Sequence, residues 1–309
     1  MISLISPFYN EETVIHKFFY RVIPILESLN YPYEIVCVND GSKDATLSIL
    51  IDYATLNPNI KVIDLSRNFG KEAALTAALD YASGEAIIPI DSDLQDPPEL
   101  IPTMVNLWMG GAEVVLARRT DRSSDSWFKR TSATLFYKLH NKMSDSRIPV
   151  NVGDFRLMDR VVADVVRSLP ENRRFMKGIF AWAGFTAVTI DYEREPRVAG
   201  DSKFNGWKLW NFALEGITSF STAPLRVWLY IGMAVAALSL IYACIIIIQT
   251  VFFGIRLPGY ASIITSILFL GGIQLMGIGV LGEYIGRIYM ETKRRPTYVV
   301  RNIFTKSQS

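Results

Sequence analysis

A mostly parallel α/β sheet domain followed by two membrane-spanning helices is the architecture that this 309-residue sequence predicts. Three observations lead there. Short apolar runs alternate with helix-forming segments over the first two-fifths of the chain, the pattern of a sheet with helices on both faces. Polar clusters close three of those runs, at the strand ends where such sheets collect their ligands. The stretches 227–255 and 257–282 hold no Asp, Glu, Lys or Arg, apart from the roughly 20 apolar residues a bilayer core requires being exceeded in each.

The first strand, residues 2–6, leads into Pro7-Phe8-Tyr9-Asn10-Glu11-Glu12. Asn10 reads as an N-cap with acidic residues in the first turn, and the helix continues to about residue 29. Residues 34–38 form a second strand, turned by Asn39-Asp40-Gly41-Ser42 into a helix that ends near residue 56. Taken alone, Asp40-Gly41 is a turn signal. A third strand covers 61–65, and the helix from Lys71 is rich in Glu, Ala and Leu, all strong helix formers. The strand before Asp91 and the run 113–117 complete five strands.

The run at 87–90 ends in Asp91-Ser92-Asp93-Leu94-Gln95-Asp96, followed by two prolines. Residues two apart at a strand end point the same way, so Asp91 and Asp93 can face one hard cation, with Gln95 as a neutral oxygen. Oxygen-only ligands suit Mg²⁺ or Mn²⁺, and phosphate oxygens with water usually complete such a shell. A nucleoside diphosphate is therefore the natural partner. Asp96 reads instead as the cap of a helix starting at Pro97 or Pro98.

Composition excludes several classes. A formal net charge of +2 gives no footprint for nucleic acid. Cys37 and Cys244 are the only cysteines, and His16 and His140 the only histidines, too few for a disulfide framework, a thiolate site or a histidine metal site. The N-terminus runs into a strand with no secretory signal.

The order Pro7-x-Tyr9-Asn10-Glu11, then Val38-Asn39-Asp40-Gly41-Ser42, then Asp91-Ser92-Asp93-x-Gln95-Asp96-Pro97-Pro98-Glu99 resembles the family 2 glycosyltransferases of the Rossmann-like GT-A fold. With Gly153-Asp154-Phe155-Arg156-Leu157 and the two apolar helices, it resembles their polyprenyl-phosphate glycosyltransferases. That group includes the bactoprenol glucosyltransferases and relatives of dolichyl-phosphate mannose synthase.

The resemblance implies that Pro7, Tyr9, Glu11 and Asp40 bind the nucleoside, with Lys71, Ser92 and Lys203 also on the nucleotide. Asp91 would lie by the ribose or metal, while Asp93 and Gln95 ligate the cation. Arg118 and Arg130 would hold the lipid acceptor's phosphate, Arg156 being a further candidate for that clamp; planar guanidinium pairs with phosphate in a bidentate way. Asp154 would act as base or orient its neighbours. The loop 197–204, with Gly200 and Lys203, resembles one that closes over the donor diphosphate. Glu171-Asn172-Arg173-Arg174-Phe175 departs from the Gln-x-x-Arg-Trp motif of processive synthases, which puts polymer synthesis in doubt.

Trp207, Trp210, Leu214 and Ile217 recur at helical spacing, as in a helix lying in a membrane interface. Arg226 precedes the first span, while Arg287, Lys293, Arg294 and Arg295 follow the second, against Arg256 alone between them. That bias sets both termini in the cytoplasm. Gly277-x-Gly279-x-x-Gly282 matches a dinucleotide fingerprint but follows no strand, and Gly282-Glu283-Tyr284-Ile285-Gly286 reads as small residues for close helix packing, within or between subunits.

The expected plan is a catalytic domain at 1–200, a donor loop and juxtamembrane helix at 201–225, two spans over 226–286 and a cytoplasmic tail at 287–309. The expected activity is transfer of a hexose, glucose from UDP-glucose by resemblance, to undecaprenyl phosphate at the inner membrane of a bacterium. It would invert the anomeric carbon and serve O-antigen or envelope glycan modification, with a flippase and a second glycosyltransferase as partners and a homo-oligomer through the spans. The rivals are another nucleotide sugar, diacylglycerol as acceptor, and a silent nucleotide-binding membrane module.

Overall fold

The computed structural model describes residues 1–120, 152–171, 174, 176–193, 223–253 and 259–306. The apolar runs form β1 (Ile2–Phe8), β2 (Tyr33–Asn39), β3 (Ile60–Leu65) and β4 (Ala86–Pro89). Their side chains are buried on both faces, as central parallel strands require. The connections are α1 (Ile15–Ser28), α2 (Thr46–Leu56) and α3 (Lys71–Tyr81). β1 pairs in parallel with β2 and β4, and β2 with β3.

Past β4 the chain makes a 3₁₀ turn at Pro98–Leu100 and forms α4 (Ile101–Met109) and β5 (Val114–Arg119). Then follow β6 (Val152–Asp159), α5 (Arg160–Ser168), α6 (Met176–Trp182) and β7 (Ala187–Tyr192). β6 runs antiparallel to both β4 and β5, whereas β7 is parallel to β5. β8 (Val300–Thr305) closes the far edge antiparallel to β3. The order is β7-β5-β6-β4-β1-β2-β3-β8.

The two faces are built differently. On one, Phe18, Phe19 and Leu26 of α1, Leu50 of α2 and Met104 of α4 pack on Leu4, Ile35 and Ile88. Each such side chain contributes about 1.5–3 kcal/mol when fully buried. On the other, α3 lies on β1 and β2 through Ala73, Ala74, Ala77 and Ala78. Small side chains let that helix approach the sheet closely, which fixes where its first residue, Lys71, sits.

Two expected caps are corrected. Asn10 has φ 53° and α1 begins only at Ile15; the Asn10 side chain instead accepts from the backbone N–H of Lys43 at 2.8 Å. Asp96 does not cap the turn after Pro97, because its carboxylate accepts from the Tyr192 hydroxyl on β7. In both cases the side chain bonds a partner distant in sequence, Lys43 or Tyr192.

The chain divides into two compact units, Met1–Ser219 with Arg295–Ser309, and Phe220–Arg294. The stretch expected as a tail thus contains a strand of the sheet, β8. In the second unit α7 (Ala223–Phe253) has 31 residues and α8 (Tyr260–Thr292) has 33. At 1.5 Å per residue they are about 46 and 50 Å long, beyond the roughly 30 Å of a bilayer core. Among the described residues one segment, Phe269–Thr292, is long and apolar enough to cross a membrane. Gly277 lies in mid-helix, where a Cβ would stand 3.6 Å from the Trp228 ring. That is helix packing, with no dinucleotide turn.

Candidate active site

The carboxyl ends of β1 and β2 are laced together by short polar side chains. The N–H of Asn10 donates to Ser42 Oγ at 3.0 Å, and that of Glu11 to Thr46 Oγ1 at 2.9 Å. Pro7 pairs with Val38 near the end of β1, so Tyr9 and Glu11 emerge beside Asp40. Asp40 is buried, and its carboxylate accepts from the backbone of Phe69 at 2.7 Å and Gly70 at 3.0 Å and from Asn68 Nδ2 at 2.9 Å. Burial pushes its pKa up, and the bonds from Phe69 and Gly70 only partly offset this. Asp40 thus fixes the loop entering α3. Gly41, at φ +63°, lies so close to that loop that a Cβ would stand 2.4 Å from the Arg67 carbonyl carbon. The turn therefore needs glycine for space as well as for conformation.

One strand further on, Lys71 Nζ lies 2.8 Å from the carboxylate of Asp91 and 2.8 Å from that of Asp154. Sheet register explains the meeting. β6 runs antiparallel to β4 with Ala86 opposite Asp159 and Ile87 opposite Met158; carried on past Pro89, this register sets Asp91 across from Asp154. Burial by itself would lower the Lys71 pKa, but Asp154 and Asp91 outweigh it and hold the ammonium charged.

Beyond Asp91 the chain turns sharply. Leu94 has φ 53°, a conformation that costs an L-residue about 1–2 kcal/mol, and its side chain is buried in the core. The Gln95 N–H donates to Asp93 Oδ1 at 3.2 Å. Ser92 and Gln95 are mostly buried, while Asp91 keeps 29% of its side chain exposed. Among the described residues no group of three or more Asp, Glu, His or Cys could hold a metal ion alone. Two carboxylates at a strand end fit a cation of the Mg²⁺ type, whose remaining ligands come from substrate phosphate and water.

Two arginines flank this centre. Arg156, on the same face of β6 as Asp154, is buried, with its guanidinium 4.1 Å from the centre of the Phe180 ring and donating to Gly153 O at 2.7 Å. Burial brings its pKa down to about 10, opposed by Asp154. Arg156 is thus enclosed beside Asp154, whose charge it feels. Arg118, at the carboxyl end of β5, pairs in a bidentate way with Asp191 of β7 at 2.7 and 2.9 Å.

A family model described as glycosyl transferase family 2 matches residues 3–167, and one described as the GtrB C-terminal hairpin matches 223–288. The chain belongs to the family 2 glycosyltransferases. A bactoprenol glucosyl transferase of Shigella phage SfV is 57% identical over 97% of this chain and 98% of its own length. A prophage bactoprenol glucosyl transferase homolog of Escherichia coli K12 is 55% identical over 98% and 99%. Glucosyl-3-phosphoglycerate synthase from Mycobacterium tuberculosis, in complex with Mn²⁺, UDP-glucose and phosphoglyceric acid, is 19% identical with a TM-score of 0.50, covering 71% of this chain and 77% of that one. That likeness concerns the fold.

In this glycosyltransferase the expected site residues Pro7, Tyr9, Glu11, Asp40, Asp91, Ser92, Asp93, Gln95 and Arg118 all fall at or just beyond carboxyl ends of strands. Asp154 joins them from β6. Lys71, expected on the nucleotide, is engaged by Asp91 and Asp154. Arg130, Lys203, the loop at 197–204 and the helix at 207–217 lie outside the described residues. Asp191 escaped sequence reading, whereas Lys71, named there by resemblance alone, is also marked as a lysine that opens a helix.

Proposed function

We propose that this glycosyltransferase moves glucose from UDP-glucose to bactoprenyl (undecaprenyl) phosphate at the cytoplasmic face of a bacterial inner membrane, inverting the anomeric carbon. The observation that carries this reading is the 55–57% identity to a bactoprenol glucosyl transferase and a homolog of one, which extends over 97–98% of the chain and so includes the hairpin.

The acceptor is a phosphate monoester whose second pKa is about 6, so it is largely ionised at neutral pH. Its oxygen forms the new bond to the anomeric carbon as the bond to UDP breaks, and UDP leaves with the electron pair. A dedicated base is dispensable. Asp154, neutralised by Lys71 and flanked by Arg156, is a poor one and better suited to orienting its neighbours. Asp91 and Asp93, with Gln95, would hold Mg²⁺ or Mn²⁺, which when bound would supply Lewis-acid stabilisation of the departing diphosphate. Pro7, Tyr9, Glu11 and Asp40 face the nucleoside, and Arg118 and Arg130 hold the acceptor phosphate.

α7 and α8 cross the bilayer as a hairpin. In support, the residues before it and the strand after it, β8, belong to the same compact unit, so the chain leaves and rejoins one domain and its crossings are even in number. The excess of Lys and Arg at the two outer ends agrees with a cytoplasmic domain.

The test is incubation of the detergent-solubilised protein with undecaprenyl phosphate, or with diacylglycerol, and a panel of labelled nucleotide sugars. Label from UDP-glucose should appear in the polyprenyl product. Preferential labelling from another sugar, or of diacylglycerol, overturns the assignment.

A further inference from the structure

Lys71 occupies a position that helix energetics disfavour. It is the first residue of α3, where free N–H groups and the macrodipole already concentrate positive charge. Two carboxylates from different strands offset that cost, each 2.8 Å from the one ammonium. The Lys71 side chain is 46% exposed, against 29% for Asp91 and 14% for Asp154. Lys71 is therefore the side chain of the trio with the largest exposed share, although its ammonium is enclosed by the two carboxylates.

We propose that Lys71 is a positioning residue that holds the cation's place between Asp91 and Asp154 while the donor site is empty, and yields it when a nucleoside diphosphate arrives. The proposal rests on Asp91 and Asp93 being the metal-holding pair. An ammonium bonded to Asp91 occupies lone pairs that a divalent cation needs, and its charge repels that cation at short range. It also keeps two like charges from repelling one another across β4 and β6. A diphosphate changes both conditions at once: its oxygens give Lys71 a new partner and the cation the rest of its shell. Nucleotide and metal then bind with positive coupling, each tightening the other by the same factor. The site would thus resist taking up metal until the donor is present.

The experiment measures Mn²⁺ affinity of the full-length protein in detergent by electron paramagnetic resonance, without and with UDP. The unmodified protein should bind Mn²⁺ weakly alone and more tightly with UDP. Lys71→Met should bind Mn²⁺ alone roughly tenfold more tightly, with a smaller gain from UDP, while Lys71→Arg keeps the unmodified pattern. Lys71→Gln serves as second neutral variant, and circular dichroism with thermal melting checks the fold of each. A purely structural lysine would move the melting temperature and leave Mn²⁺ affinity unchanged; that outcome in both neutral variants overturns the proposal. If the unmodified protein binds UDP yet no Mn²⁺ under either condition, the metal reading of Asp91 and Asp93 fails and this proposal falls with it.

Discussion

At the amino end of the sheet Lys61 meets one carboxylate, Glu34, at 3.3 Å; at the carboxyl end Lys71 meets two, Asp91 and Asp154, at 2.8 Å each. Glu34 is also bonded by the Ser3 hydroxyl, the Ser83 N–H and the Ser83 hydroxyl. Its oxygens are filled from every side, and the Ser3 hydroxyl in turn accepts from the Gly84 N–H at 2.7 Å. The charge there is balanced and closed, as a buried ionic group must be to persist. At the carboxyl end one ammonium serves two carboxylates, with Asp93 close by in sequence, and the trio is partly exposed. An unbalanced, accessible excess of negative charge is of use to a cation, whereas a sealed pair is of use only to the fold.

The largest effect should come from breaking the open end. Asp93→Asn should lower transfer to bactoprenyl phosphate on the order of 10³-fold, the several kcal/mol that a Lewis acid supplies. Its circular dichroism and melting temperature should match those of the unmodified protein. Transfer by this variant that equals the unmodified rate in the presence of chelator would remove Asp93 from the metal site.

The closed end should respond in the opposite way. Glu34→Gln should destabilise the sheet by about 2–3 kcal/mol, because it leaves Lys61 without its charged partner and upsets donors from Ser3 and Ser83. Transfer per folded molecule should not change. Chemical denaturation alongside rate measurements separates the two, and a catalytic loss without a stability loss would contradict the distinction drawn above.

A smaller effect follows from pH. Burial alone would raise the Glu34 carboxyl, but the bonds from Ser3 and Ser83 and the charge of Lys61 outweigh it and hold it below the ordinary glutamate range. The folded pKa being the lower one, the group's contribution is complete above the unfolded value and lost as pH falls through the folded one. The stability gap between the unmodified protein and Glu34→Gln should therefore narrow from about pH 6 towards about pH 3. A gap that widens in acid would reverse the sign argued here.

Arg118→Ala should give the least. Its partner Asp191 and Arg118 itself are both about half exposed, so solvent screens the pair and the melting temperature should hold. The acceptor KM should rise several-fold with donor affinity unchanged. Loss of UDP binding, measured by calorimetry, would move Arg118 to the donor side.

The sequence made the sheet and its strand ends readable because apolar runs, turn residues and helix formers all pointed one way from Ile2 to Ala117. Tyr9, Asp40, Asp91 and Asp93 were locatable because each directly follows such a run. What was not readable depends on contacts distant in sequence. Asp154 meets Asp91 through an antiparallel pairing of β6 with β4 across 62 intervening positions that sequence pattern cannot register. Gly41 passes for an ordinary turn glycine until Arg67 and Asn68 are seen against it. Asn10 and Asp96 carry the local signature of caps, and lose it to Lys43 and Tyr192.

β8 carries a consequence for how the protein is made. Synthesis delivers β1 to β7 first, then the long apolar helices, and only afterwards the strand that covers β3. Until then the paired edge of β3 offers its N–H and C=O groups to any passing strand. Because domains fold as they leave the ribosome, the catalytic sheet of this enzyme stays unfinished until the hairpin has been translated. A chain that stops short of Val300 would carry every site residue named above and still present an open edge, inviting association with its own kind.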